Sequence, residues 1–76
     1  MNIDTDRIDD TVLALLWLGR HEEWRAWKSF DWAVMERLHE KGFVSDPIGK
    51  AKSVVFSEDG LRRSEMLFRK LFERPD

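Results

Sequence analysis

No cysteine occurs in the 76 residues, so neither a disulfide nor a thiolate metal site reinforces the fold. That absence suits a reducing compartment, and a cytoplasmic setting is the expectation. Glycine is sparse and scattered, at positions 19, 42, 49 and 60, which excludes a glycine-rich phosphate loop. Long apolar runs are missing too. The longest, Val12 to Leu18, covers seven residues, against the ~20 that a helix needs to cross a bilayer. The start, Met1-Asn2-Ile3-Asp4-Thr5-Asp6, is acidic where a targeting signal is basic and then apolar. No membrane partner is expected.

A chain this short makes one domain, residues 1–76. It buries only about 60% of the surface that its unfolded form exposes, so its core is thin. Four Trp and five Phe supply the large apolar groups that such a core needs. The net charge of −2 hides an asymmetry. Residues 1–40 carry five Arg/Lys against nine Asp/Glu, a balance of −4, and residues 41–76 carry eight against six, a balance of +2. Clustered cations are what displace counterions from a duplex, and only the second half offers them.

The spacing predicts a first helix from about Arg7 to Leu18, with Asp4, Thr5 or Asp6 as N-cap and Gly19 at its end. At 100° per residue, Ile8, Val12, Leu15 and Gly19 share one face, while Leu13 and Trp17 point nearly the opposite way. A helix apolar all round is a central strut, a subunit contact, or both. The expectation is both, in a homodimer with Leu13 and Trp17 facing the second copy. From Arg20 to Phe30 two patterns compete. Trp24, Trp27 and Lys28 share a helical side, and Trp24, Ala26 and Lys28 equally alternate along a strand.

A second helix opens at Ser29 or Asp31, carries Trp32, Met35 and Leu38 at helical spacing, and stops at Gly42. Trp32 reads as core. Phe43-Val44 and Ser53 to Phe56 read as the two arms of a hairpin around Pro47 and Gly49, with Lys50 and Lys52 near the tip. Ser57 then caps a last helix, whose buried stripe is Leu61, Ser64, Phe68, Leu71 and Phe72. Arg62, Arg63, Met66, Arg69 and Lys70 take its opposite side, and Pro75 stops it. The fold class is α+β: a small winged-helix-like domain of three main helices with a two- or three-stranded antiparallel β wing.

Leu38-His39-Glu40-Lys41-Gly42-Phe43-Val44 and Val54-Val55-Phe56-Ser57-Glu58-Asp59-Gly60 resemble the back half of winged-helix transcription regulators of the multiple-antibiotic-resistance repressor type. The likeness covers about half of the chain. It implies a recognition helix, a charged wing and a long final helix, with DNA as partner and phosphate contacts from Arg37, Lys50, Lys52, Arg62 and Arg63. The chain departs from that pattern before the wing: its recognition helix presents Asp31, Ala33 and Glu36, with Arg37 the one cation ahead of Lys41. The whole chain also resembles a family of small uncharacterised bacterial proteins.

A catalytic set needs a base beside a nucleophile or a metal. The histidines are His21 and His39, Ser29 and Ser57 are accounted for as helix caps, and His21-Glu22-Glu23 lacks a second histidine four positions on. No enzyme activity, cofactor or metal is expected. Trp24 and Trp27, interleaved with Arg25 and Lys28, suit stacking on single-stranded bases, but a thin core claims them with better reason. The basic side of the last helix is an ordinary solvated face or a contact surface, and Met66 among its cations favours contact. Lys50 and Lys52 either touch phosphate or guard a strand edge against aggregation. Two functions remain open: a regulatory module that binds DNA weakly through the wing and last helix, and a protein-interaction module of the same shape.

Overall fold

The computed structural model describes residues 1–75 and orders them as α1 (Thr5–Leu18), β1 (Arg20–Glu22), β2 (Arg25–Trp27), α2 (Trp32–Glu40), β3 (Ser53–Val55) and α3 (Glu58–Phe72). Each helix opens on a side-chain acceptor. Asp4 Oδ1 accepts from Arg7 N at 3.1 Å, Asp31 Oδ2 from Val34 N at 3.3 Å, and Ser57 Oγ from Gly60 N at 2.9 Å. Each bond satisfies an amide that has no partner inside its own helix. α2 closes in a Schellman turn. Gly42 adopts φ +82° and donates to His39 O at 2.9 Å, while Phe43 N donates to Leu38 O at 3.0 Å. Glycine takes that left-handed conformation without a Cβ clash.

The three strands form one antiparallel sheet in the order β1-β2-β3. The ambiguous segment 20–30 is thus the β1–β2 hairpin, and strand alternation decides its faces. Ala26 is fully buried, while Arg25 and Trp27 on either side point outward. β3 pairs along its length with β2, through Arg25 and Val55, Ala26 and Val54, Trp27 and Ser53. The architecture is therefore α+β and winged-helix-like, but β3 has a different main partner from the expected one. Phe43-Val44 contributes a single bridge, Val44 to Phe56, continued by Ser45 N donating to Val55 O at 2.8 Å. Pro47 has no N–H to extend that ladder. Nor does the loop beyond project as a free finger: Pro47 is fully buried, and Lys28 Nζ donates to Pro47 O at 2.5 Å and to Gly49 O at 3.2 Å.

α1 is the strut of the core. Leu13 and Leu16 are fully buried together with Met35 and Leu38 of α2 and Val54 of β3, and Leu67 of α3 closes the far side. Where α1 crosses α3, the buried Ser64 Oγ donates to Leu13 O at 2.6 Å, so the one hydroxyl at the crossing is satisfied. The start of α3 is clamped to the end of α2. Ser57 Oγ donates to Gly42 O at 2.6 Å, and a Cβ on Gly60 would lie 1.8 Å from Phe43 O, an approach that only glycine permits.

Three expectations about burial are corrected. Leu13 is inside the monomer's own core and Trp17 is half-buried, so neither forms an outer face; α2 and α3 cover their side of α1 and leave Ile8, Leu15 and Leu18 turned outward. Trp32 is 54% exposed, because α2 buries Val34, Met35 and Leu38 instead. On α3 the buried positions are Gly60, Ser64 and Leu67, and Leu71 and Phe72 stand half in solvent.

Candidate protein-docking surface

The cations expected to meet phosphate are mostly engaged within the fold. Arg37 grips Asp9 with three contacts, Nε to Oδ1 at 3.0 Å, Nε to Oδ2 at 2.9 Å and Nη2 to Oδ1 at 2.8 Å. Lys41 Nζ adds bonds to Asp9 Oδ2 and Asp6 Oδ1, both at 2.9 Å. Asp9 itself is fully buried, so this cluster ties α1 to α2. Burial alone would push the Asp9 carboxyl up, but the Arg37 and Lys41 hydrogen bonds and charges outweigh it and hold the carboxyl below the usual range. For Lys41, burial acts downward and the bonds to Asp9 and Asp6 reverse it, leaving its pKa raised.

The remaining cations divide in the same way. Arg63 Nη2 donates to Asp10 Oδ1 at 3.1 Å and Oδ2 at 3.2 Å, with its guanidinium 5.6 Å from the Phe43 ring centre. Arg62 bonds Asp59 at 2.6 Å, and Arg69 lies between Glu65 and Glu73. Lys50 and Lys52 are exposed, and no ion pair is formed by either among the described residues. A phosphate approaching Arg37 or Arg63 would have to displace a carboxylate already in bonding geometry.

The histidines serve other contacts: His39 Nδ1 lies 3.0 Å from Val44 O, and His21 stacks on Trp27 with ring centres 4.0 Å apart. No group of three His, Cys, Asp or Glu residues that would hold a metal occurs among the described residues. No helix among them is long and apolar enough to cross a membrane.

Apolar surface is plentiful. Trp27 stands on the outer face of the middle strand, 49% exposed, and its backbone N–H donates to Gly19 O at 3.3 Å. That bond sets the indole beside the last turn of α1. Leu15, Leu18 and Gly19 on one side, and Trp27, Ser29 and Phe30 on the other, line an open groove of about 460 Å³. Leu18 is 67% exposed. Just beyond α1, the Arg20 guanidinium lies 3.5 Å from the centre of the Trp17 ring and shields that indole. From the groove, Thr11 and Ile8 continue an uncharged line along α1 toward its N-terminus. Reading by period missed Leu18, Trp27 and Phe30. The available signal was the strand alternation around Ala26, which obliges its neighbours to face out.

A comparison with solved structures finds no match. Among curated proteins, the chain is 62% identical over 74 residues to the uncharacterized protein y4hR of Sinorhizobium fredii, covering 97% of this chain and all of that one. Residues 4–74 match the family described as a domain of unknown function, DUF6429. With that span and that relative, the chain belongs to the DUF6429 family.

Proposed function

We propose that this domain is a non-enzymatic interaction module that binds protein through the groove between α1 and the β2–α2 connection. The single observation that carries the reading is the contrast in how side chains are used. Arg37, Lys41, Arg62, Arg63 and Arg69 are all spent on internal carboxylates, whereas Leu18, Trp27 and Phe30 are left in solvent. Interface cores favour aromatic and large aliphatic groups over charge. The setting remains the cytoplasm, for the reason that a cysteine-free chain suits it.

Weak DNA binding is the second reading, and Lys50 and Lys52 favour it, as exposed lysines beside the strand that resembles a wing. Fluorescence anisotropy with a mixed-sequence duplex at low salt separates the two, since the nonspecific phosphate contribution is largest there. The protein-binding reading expects no saturable signal, and a nuclease-insensitive pull-down whose captured protein is lost in Trp27→Ala. Salt-dependent duplex binding abolished by Lys50→Glu with Lys52→Glu would overturn it.

A further inference from the structure

The run Trp24-Arg25-Ala26-Trp27-Lys28 suits either a core or the stacking of bases, and burial separates the two. The core is filled without either tryptophan: Trp24 is 42% exposed and Trp27 49%. Arg25 and Trp27 stand together on the outer face of β2, because alternation turns Ala26 inward. The register extends that face onto β3, where Val55 lies opposite Arg25 and Ser53 opposite Trp27. Arg25 Nη1 donates to Ser53 Oγ at 3.4 Å across the strands. On the β1 side the exposed His21 ring lies on Trp27, with centres 4.0 Å and planes 23° apart. The face therefore presents two stacked rings edged by a guanidinium.

Its charge has the sign that a phosphodiester strand requires. Residues 20–28 and 45–56, which hold the three strands and the loop before β3, carry five Arg/Lys against three Asp/Glu, a balance of +2 in a chain of net −2. Lys50 and Lys52 are exposed, and among the described residues neither forms an ion pair. Lys28 is committed elsewhere, to Pro47 O and Gly49 O. The carboxylates of this region compete weakly. Glu22 meets Arg25 at 3.4 Å with the two side chains 66% and 44% accessible, and an exposed pair of that kind contributes little. Asp46 Oδ1 accepts from Ile48 N at 2.9 Å, and Glu23 sits exposed in the β1–β2 turn.

We infer that the outer face of the sheet binds single-stranded nucleic acid, with His21 and Trp27 stacking on bases and Arg25, Lys50 and Lys52 meeting phosphates. Aromatic rings interleaved with cations hold a single strand without reading its sequence, because every base has a π-face. A strand running from β1 toward β3 meets the two rings first and the two lysines last. In a duplex the bases are already stacked on one another, so paired DNA offers this face only its phosphates. The surface is separate from the docking groove, although Trp27 borders both.

Fluorescence anisotropy with labelled thymidine and uridine oligonucleotides of about ten residues tests the inference. Both should bind saturably at low salt, since base planes and phosphates are common to them. With two or three phosphate contacts, the dissociation constant should rise about 7- to 20-fold between roughly 50 and 200 mM salt. Trp27→Ala should weaken binding about 5- to 150-fold, the loss of stacking on one base, with circular dichroism unchanged. Trp27→Phe keeps a ring, and should retain most of the affinity while losing the quenching of indole fluorescence by the bound strand. Arg25→Glu with Lys52→Glu should bring binding below detection. Three results overturn the inference: no saturable binding up to about 100 μM protein, a duplex of the same length bound as tightly as the single strand, or a Trp27→Ala variant with wild-type affinity. The protein-docking reading stands or falls separately, on capture of a protein in the pull-down and its loss in Leu18→Ser.

Discussion

Replacing Asp9 by Asn keeps the shape of the side chain and removes its charge, which isolates what the buried ion cluster contributes. Asp9 is fully buried and meets two cations, Arg37 at 2.8 Å and Lys41 at 2.9 Å. Removing one partner of a buried pair costs about 3–5 kcal/mol when the other charge is left stranded. Here the stranded cations are the more exposed partners, with side chains 31% and 32% accessible, so water relieves part of the penalty. The expected loss is about 2–3 kcal/mol. For a domain of this size that lowers Tm by on the order of 10–20 °C, readable by calorimetry or urea titration. The pH dependence gives an independent check. The folded carboxyl lies below its ordinary value, so its stabilisation is complete above the unfolded pKa of about 3.9 and is lost as pH falls through the folded value. Wild type and variant should therefore converge in acid, from about pH 4 downward. Lys41 acts at the other limit: its raised pKa means that its share is present at neutral pH and lost as pH rises above about 10.4. A variant within about 0.5 kcal/mol of wild type at pH 7, or a gap that persists in acid, would refute the assignment of this cluster as a structural tie.

Gly60→Ala should cost more than about 2 kcal/mol in urea titration, since its Cβ would meet the Phe43 carbonyl at 1.8 Å and α3 would have to lift away from α2. Ser57→Ala removes both the cap on Gly60 N and the bond to Gly42 O, and a loss of about 1–2 kcal/mol is expected. Leu13→Ala and Trp32→Ser invert what composition alone implies: the first should cost about 2–5 kcal/mol and the second about 0.5 or less, because Leu13 is enclosed and Trp32 is half in solvent.

Local signals survive the step from sequence to structure, and long-range ones are where reading by pattern fails. The cap Ser57 and the turn at Gly42 were legible, and Asp4 and Asp31 stood among the candidate caps, because each is decided by bonds within a few residues. The two faces of α1 were not. Both are apolar, so period cannot rank them. The one charged residue beside Leu13 and Leu16, Asp9, argues that its side is the outer one. That inference reverses once Arg37 and Lys41, 28 and 32 residues away in sequence, supply its counter-charge. The tryptophans failed for a related reason. A thin core does need apolar volume, but Leu, Val, Met, Ala and the single buried aromatic Phe56 fill this one. At the helix crossing and the α2–α3 junction, Ser64 and Gly60 bring the backbones so close that little volume remains to fill.

The same charge pairing separates a winged-helix-like outline from a surface suited to duplex DNA. A wing and a final helix that bind DNA need cations whose partners are solvent and counterions, so that phosphate displaces only those. In this chain many of the cations already have carboxylate partners: within the first half Asp9 holds Arg37, across the halves Asp9 and Asp6 hold Lys41 and Asp10 holds Arg63, and within the second half Asp59 holds Arg62 while Glu65 and Glu73 hold Arg69. The acidic first half thus neutralises Lys41 and Arg63 of the basic second half. With those charges paired, the large apolar groups left in solvent around α1 and β2 include Ile8, Leu18, Trp27 and Phe30, while Lys50 and Lys52 stay exposed before β3. A winged-helix-like outline thus carries exposed apolar groups beside paired charges, and on the protein-docking proposal substitution at Leu18 and Trp27, rather than at Arg37 or Arg63, is where loss of binding without loss of fold is expected.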